Sequence, residues 1–205
     1  LKIAGDQAFT LSDTLSTEVT TISAGDATGA LTFTTGAVAA TITTGSGADT
    51  ITAGSASDTI ISGSGADSVV GGGGADNVTS GAGADTIVLS GANNDTVSAG
   101  AGADTITGAT GDDSIDGGAD IDLINFTVDG LTSDDTVDGG TGTDILAFTD
   151  AATGADLDFK NVSNVETLQL ADLDDGAGND TTIVLSTNAA AAGITTITHQ
   201  GDQTT

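Results

Sequence analysis

A single β-branched residue returns every nine positions through the middle of the chain. The series runs Ile51, Ile60, Val69, Val78 and Ile87, then, after one extra residue near Leu89, Val97, Ile106, Ile115 and Ile124. Small polar residues flank each of them, with Thr immediately before at Thr50, Thr59, Thr86, Thr96 and Thr105. An apolar residue between two polar ones is the pattern of a very short strand whose middle side chain points inward. One such unit cannot bury its apolar residue alone. Stacked units can, because together they form a continuous thin core, so a fixed short period predicts an all-β solenoid.

The alternation loosens on both sides. Residues 1–43 keep strand-like positions at Ile22, Leu31, Phe33, Val38 and Ile42 without the strict period, which predicts degenerate β-solenoid coils. Residues 44–147 hold the regular repeat, with an insertion at about 126–138 that contains Asp134, Asp135 and Asp138. Residues 148–205 carry a longer alternating stretch, Val165-Glu166-Thr167-Leu168-Gln169-Leu170, and two further strand-like runs, TTIVLST and GITTITHQ. They predict further β-solenoid coils. The last of these, ending in HQGDQTT, shows no polar cap, so it is expected to continue into more chain or a larger assembly.

Acidic residues share the period. Asp49, Asp58, Asp67, Asp76, Asp85, Asp95, Asp104, Asp113 and Asp122 each stand two positions before one of the β-branched residues. Glycines precede them four positions earlier (Gly45, Gly54, Gly63, Gly72, Gly81, Gly91, Gly100 and Gly118) and often two positions earlier (Gly47, Gly65, Gly74, Gly83, Gly102 and Gly111). Glycine permits positive φ and hence tight loops. If two units make one coil, Asp49, Asp67, Asp85, Asp104 and Asp122 line one edge, and Asp58, Asp76, Asp95 and Asp113 line the other. Carboxylates stacked at the strand spacing of ~4.8 Å repel one another. A cation between successive rungs removes that repulsion, and Ca²⁺ suits the purpose because it takes six to eight oxygens, backbone carbonyls included. Seven stacked pairs follow from the two rows, so about seven or more ions are expected. Zn²⁺ and Fe would want His or Cys, and the chain has no Cys and a single His, His199, outside the repeat.

Charge changes the picture of partners. The 205 residues carry 30 acidic side chains against two basic ones, Lys2 and Lys160, for a formal charge of −28. That balance excludes binding to nucleic acid through phosphate contacts and opposes docking on anionic lipid. Five Phe are the only aromatic residues, and Trp, Tyr, Met, Cys and Pro are absent, so the core must be thin and aliphatic. No apolar run reaches the roughly 18 residues of a transmembrane helix. The start, LKIAGDQAFTLSD, lacks an initiator Met and the regions of a cleaved secretion signal, so the chain is expected to be a fragment or a processed product.

The units resemble the nonapeptide G-G-x-G-x-D-x-U-x of the RTX, or haemolysin-type, calcium-binding family. Gly71-Gly72-Gly73-Gly74-Ala75-Asp76-Asn77-Val78-Thr79 matches the full pattern, as does Gly139-Gly140-Thr141-Gly142-Thr143-Asp144-Ile145-Leu146-Ala147 after the insertion. Asp135-Thr136-Val137 is expected to be one more unit. The resemblance covers residues 44–125 and 133–147, and it implies a parallel β-roll with calcium bound in the Gly-Asp turns. It adds Asp135 and Asp144 to the nine candidate metal ligands above. It also makes the loops of Gly45, Gly47, Gly63, Gly65, Gly72, Gly74, Gly81, Gly83, Gly100 and Gly102 part of the candidate sites. The sequence departs from the pattern where Ala53, Ser62, Ser80 and Ala99 replace the first Gly, and where Ala56, Asn93 and Asp120 replace a later one. Asn and Asp tolerate left-handed geometry better than Ala, which makes the loop before Asp58 the weakest candidate.

Three functions compete. The Thr-, Ala- and Gly-rich composition, and the similarity of residues 148–205 to coils found beside calcium repeats in bacterial surface-layer proteins of the RTX kind, favour a structural protein. It would be secreted, extracellular and self-assembling, with calcium, further copies of itself and cell-surface polysaccharide as partners. The alternative is the calcium-triggered folding module of an RTX enzyme, toxin or adhesin. Export through a type I channel is implied by the resemblance in either case. Ice binding is a third reading, weakened where Ser68, Asn77, Ser114 and Leu123 interrupt the outward Thr row. An enzyme is not expected, because no nucleophile motif accompanies His199 and no Trp or Tyr could form a sugar-binding cleft.

Overall fold

The fold is that of a computed structural model, which describes residues 1–150, 156–157, 159–171, 184–185 and 188–199. Asp172, Asp174, Asp175 and most of TTIVLST, acidic and strand-like positions of the C-terminal stretch, lie outside the described residues, as does HQGDQTT after His199. The described residues form a parallel β-solenoid of about eight turns without a helix.

Two parallel sheets face each other, and the chain alternates between them. One has ten strands, stacked in the order Phe9–Thr10, Leu31–Thr34, Thr50–Thr52, Ser68–Gly72, Thr86–Leu89, Thr105–Thr107, Leu123–Phe126, Ile145–Phe148, Thr167–Leu170 and Thr196–His199. The other has eight, from Thr21–Ser23 through Thr41–Thr43, Thr59–Ser64, Asn77–Ala82, Thr96–Ala101, Ser114–Ala119 and Thr136–Asp138 to Val162–Ser163. A separate parallel pair joins Asp156–Leu157 to Val184–Leu185. Two nonapeptides therefore make one coil, and each residue sits over its equivalent one coil below, as Val78 sits over Ile60 and Ile87 over Val69.

The register makes the core. Ile51, Val69, Ile87, Ile106, Ile124, Leu146 and Leu168 stack on one inner face, and Ile22, Ile42, Ile60, Val78, Val97, Ile115 and Val137 on the other, all of them buried. Their neighbours point outward and split between the two sheets: Thr50, Ser68, Thr86 and Thr105, with the apolar Leu123 next in the row, on one, and Thr59, Asn77, Thr96 and Ser114 on the other.

The irregularities are absorbed locally. Opposite Leu89 the register slips between Val70 and Gly72, and a methyl group placed on Gly71 would lie 3.6 Å from the Leu89 side chain. The insertion folds out after Phe126. The Thr127 carbonyl accepts bonds from the Gly130 and Leu131 amides, and the chain returns in register with Thr136 over Ser114. The substitutions at Ser62, Ser80 and Ala99 also have a structural role. All three are fully buried, and the Ser62 hydroxyl donates to the Ser80 carbonyl while Ser80 donates to Ala99, so hydroxyls bond up the stack.

Each core position is a single aliphatic side chain in a column, with nothing behind it to collapse into a void. Ile87→Ala is therefore expected to destabilise the calcium-loaded fold by about 2–5 kcal/mol in denaturant titration. A loss below about 1 kcal/mol would contradict the single-column core.

Candidate metal centre

Each loop turns the chain from one sheet to the other and delivers its Asp to the corner where the next strand starts. There the carboxylate is bound by the coil beneath. The Asp49 amide donates to Asp67 Oδ1 at 2.8 Å, Asp67 to Asp85, Asp85 to Asp104, and Asp104 to Asp122. On the opposite edge Asp58 donates to Asp76, Asp76 to Asp95, and Asp95 to Asp113. Both rows extend past the insertion: the Asp113 amide bonds Asp135 Oδ1 at 2.7 Å and the Asp122 amide bonds Asp144 Oδ1 at 2.9 Å. Asp122 is thus an inner rung, where the nine-residue count alone would make it an end. The insertion adds four residues between it and Asp144 without disturbing the column.

All eleven Asp side chains are at most 3 % exposed. Oδ1 is satisfied by an amide, but Oδ2 has no partner at Asp49, Asp58, Asp67, Asp76, Asp85, Asp95, Asp104, Asp113, Asp122 or Asp144. A buried ionised oxygen without a partner is strongly unfavourable. Asp135 differs, because the Thr132 amide of the insertion donates to its Oδ2 at 2.6 Å.

These residues fit a hard cation. A methyl group placed on Gly117 would lie 2.7 Å from both Asp122 Oδ2 and the Gly139 carbonyl of the coil above, so two oxygens converge on one small space. At Gly71 the same construction lies 2.9 Å from Asp76 Oδ2. Among the described residues no three His, Cys, Asp or Glu converge, so a cation would take carboxylates from the ladder and fill its shell from loop carbonyls. That donor set is oxygen only, which suits Ca²⁺.

The loops do not share one conformation. Gly63 and Gly65, Gly72 and Gly74, Gly81 and Gly83, and Gly100 and Gly102 all have positive φ, and Asp120 takes the same geometry at φ 82° in place of glycine. At the N-terminal end the pair of positive-φ residues is absent. Gly45 and Gly47 stay outside the left-handed region, as do Gly54 and Ala56 before Asp58. The coil beneath Gly45 and Gly47 holds Ala27 and Gly29 in place of a nonapeptide loop, and a methyl group at Gly47 would meet the Gly29 backbone within 2.7 Å. Asn93 also lacks positive φ, although Gly91 beside it has it.

Burial raises the carboxyls of Asp76 and Asp104 to about 7 and those of Asp67 and Asp122 to about 6, with the neighbouring carboxylates of the ladder adding to the rise. Burial likewise raises Asp58, Asp95, Asp113 and Asp144, against the opposing effect of their amide bonds.

The RTX calcium-binding nonapeptide repeat matches the chain in four copies, over residues 35–69, 52–87, 89–124 and 127–148. These copies span more than half of the chain, and the chain belongs to this family of calcium-binding repeats. No curated protein and no solved structure matches it. The last copy includes the insertion and ends at 148, before Glu166, whose Oε2 accepts the Asp144 amide at 2.8 Å. Glu166 thus holds the next ladder position. Its loop lacks the glycine pattern and its acid is Glu in place of Asp, but the signal that could have found it is the spacing: Glu166 stands 22 residues after Asp144, as Asp144 does after Asp122, and two before Leu168.

The raised carboxyls set a pH dependence. Between the ordinary carboxylate value and about 7 the calcium-free fold holds more protons than the unfolded chain, so its stability falls as pH rises through that window. Calcium competes with the same protons, so its affinity rises over the same window. Calcium-free chain should show more strand in circular dichroism at about pH 5 than at about pH 8, and calcium binding at about pH 6 should release protons in calorimetry. More calcium-free strand at the higher pH would contradict this.

Proposed function

We propose that the chain is a calcium-dependent structural protein of the bacterial cell surface, a surface-layer or extracellular fibre protein. It is exported unfolded through a type I channel, folds on meeting calcium outside the cell, and assembles with copies of itself. The observation that carries the reading is the double column of buried Asp Oδ2 atoms without partners. One Ca²⁺ in each interval between stacked Asp rungs gives five ions on the edge from Asp49 to Asp144 and four on the edge from Asp58 to Asp135. Nine divalent ions offset 18 of the 28 net negative charges. Extracellular calcium modules work at roughly 10⁻⁴ to 10⁻³ M, far above cytosolic levels, so such a stack stays unfolded inside the cell.

Two features support a structural role over catalysis. The outward faces are rows of Thr, Ser and Asn between carboxylates, which offer a cation-bridged or polysaccharide-binding surface. At the C-terminal end of the ten-stranded sheet, Ile197 continues the inward column above the buried Leu168 but is 53 % exposed among the described residues. An inward-facing apolar residue left open at a sheet edge favours a covering neighbour, either more chain or another copy.

Assembly is expected to need more calcium than folding does, because bridging two acidic surfaces uses exposed, weaker sites, and monovalent salt should screen it. Electron microscopy and light scattering across a calcium titration should show monomeric rods first, then sheets or filaments. A folded chain that stays monomeric at millimolar calcium and high concentration would contradict the structural reading and favour a folding module of a larger secreted protein.

A further inference from the structure

The unpartnered oxygens follow a rule. Five Asp on one edge (Asp49, Asp67, Asp85, Asp104 and Asp122) and four on the other (Asp58, Asp76, Asp95 and Asp113) have another Asp stacked above them, and every one has an unpartnered Oδ2. Asp135 ends its edge, no carboxylate hydrogen-bonded to its amide stands above it among the described residues, and its Oδ2 is closed by the Thr132 amide. Asp144 is the last Asp of the other edge, so the same rule would have it closed by the protein. It is not: Asp144 is fully buried and its Oδ2 has no partner. What stands above it is Glu166.

The interval between Asp144 and Glu166 repeats the features of the interval beneath it. The Asp144 amide donates to Glu166 Oε2 at 2.8 Å, as the Asp122 amide donates to Asp144 Oδ1 at 2.9 Å. The carbonyl of Asn164 comes down onto Gly139, where a methyl group would collide with it, as the carbonyl of Gly139 comes down onto Gly117. Asn164 achieves this at φ 51°, the only non-glycine residue besides Asp120 with positive φ among those described. Asp120 lies in a ladder loop as well.

We infer that Asp144, Glu166 and the Asn164 carbonyl form a further divalent-cation site, beyond the nonapeptide repeats, that fastens the coil of residues 161–170 onto the repeat. The inference rests on the calcium reading of the ladder. On the opposite edge the Thr132 amide closes the column without a cation, so the two edges end differently. The site holds two carboxylates from adjacent coils, and its occupation requires the C-terminal coil to be seated. Calcium would therefore order residues 161–170 in the same step that fills the last site.

The test counts bound Ca²⁺ per chain by equilibrium dialysis and elemental analysis, on the full chain and on Glu166→Gln and Glu166→Ala. Glu166→Gln keeps an oxygen to accept the Asp144 amide and removes only the charge. Both variants should bind one ion fewer than the unaltered chain, with strand content in circular dichroism retained. Hydrogen exchange at Thr167–Leu170 should lose its calcium-dependent protection in both. An unchanged ion count in Glu166→Gln, or a Gln variant that behaves as the unaltered chain while Ala alone is impaired, would reduce Glu166 to a hydrogen-bonding role and overturn the site. A fall of more than one ion would overturn its local character. If the unaltered chain itself binds no calcium, the reading of the ladder fails, which is a separate outcome from a loaded chain indifferent to Glu166.

Discussion

Carboxylates stacked one coil apart inside a protein cannot remain charged without help. Two unit charges ~4.8 Å apart repel by about 3 kcal/mol even at an effective dielectric constant of 20. Here eleven Asp, buried to within a few per cent, form two such columns. Each is fixed by an amide from the coil beneath, so none can swing out to water without breaking the stack. Protons or cations must sit on the second oxygens, and the rise of Asp76 and Asp104 to about 7 is the proton's share of that burden. The calcium-binding repeat family to which the chain belongs supplies the other remedy.

The rest of the structure serves this arrangement. A coil of two nonapeptides brings the edges of both sheets to the same height, so every carboxylate meets its equivalent. Glycine loops with positive φ, such as Gly63 to Gly65, let the backbone of one loop lie directly on the carbonyls of the loop beneath, where a side chain would collide. The core needs only one aliphatic side chain per strand, and that explains a chain almost without aromatic residues. Where apolar bulk does appear, at Phe126 and Phe148, the two residues pair in register on successive coils across the insertion and are both buried.

Much of this was legible in the chain because the period is carried by identity as well as polarity. The nine-residue spacing of Asp and Ile or Val gave the two edges once two units were taken per coil, and across the insertion the G-G-x-G-x-D pattern identified Asp144 while the shorter Asp135-Thr136-Val137 match identified Asp135. The rest depended on three-dimensional neighbours. Ser62 and Ser80 read as departures from the repeat, yet they are buried and bond one another's coils, a function that only stacking reveals. Gly45 and Gly47 match the pattern, yet the coil beneath them lacks a nonapeptide loop and their backbone turns differently. Glu166 lacks the glycines and the Asp of the repeat, yet it stands two residues before the column residue Leu168 and in register over Asp144, and so occupies a rung.

The account depends most on one claim, that at neutral pH divalent cations between the carboxylates allow the columns to close. Small-angle X-ray scattering on the purified chain at neutral pH and low concentration, with calcium removed and then restored to the level that folds the chain but lies below that of assembly, tests it directly. The account predicts a radius of gyration near the unfolded value, about 50 Å, without calcium, falling to about 17 Å with it. A compact particle in both conditions would contradict it.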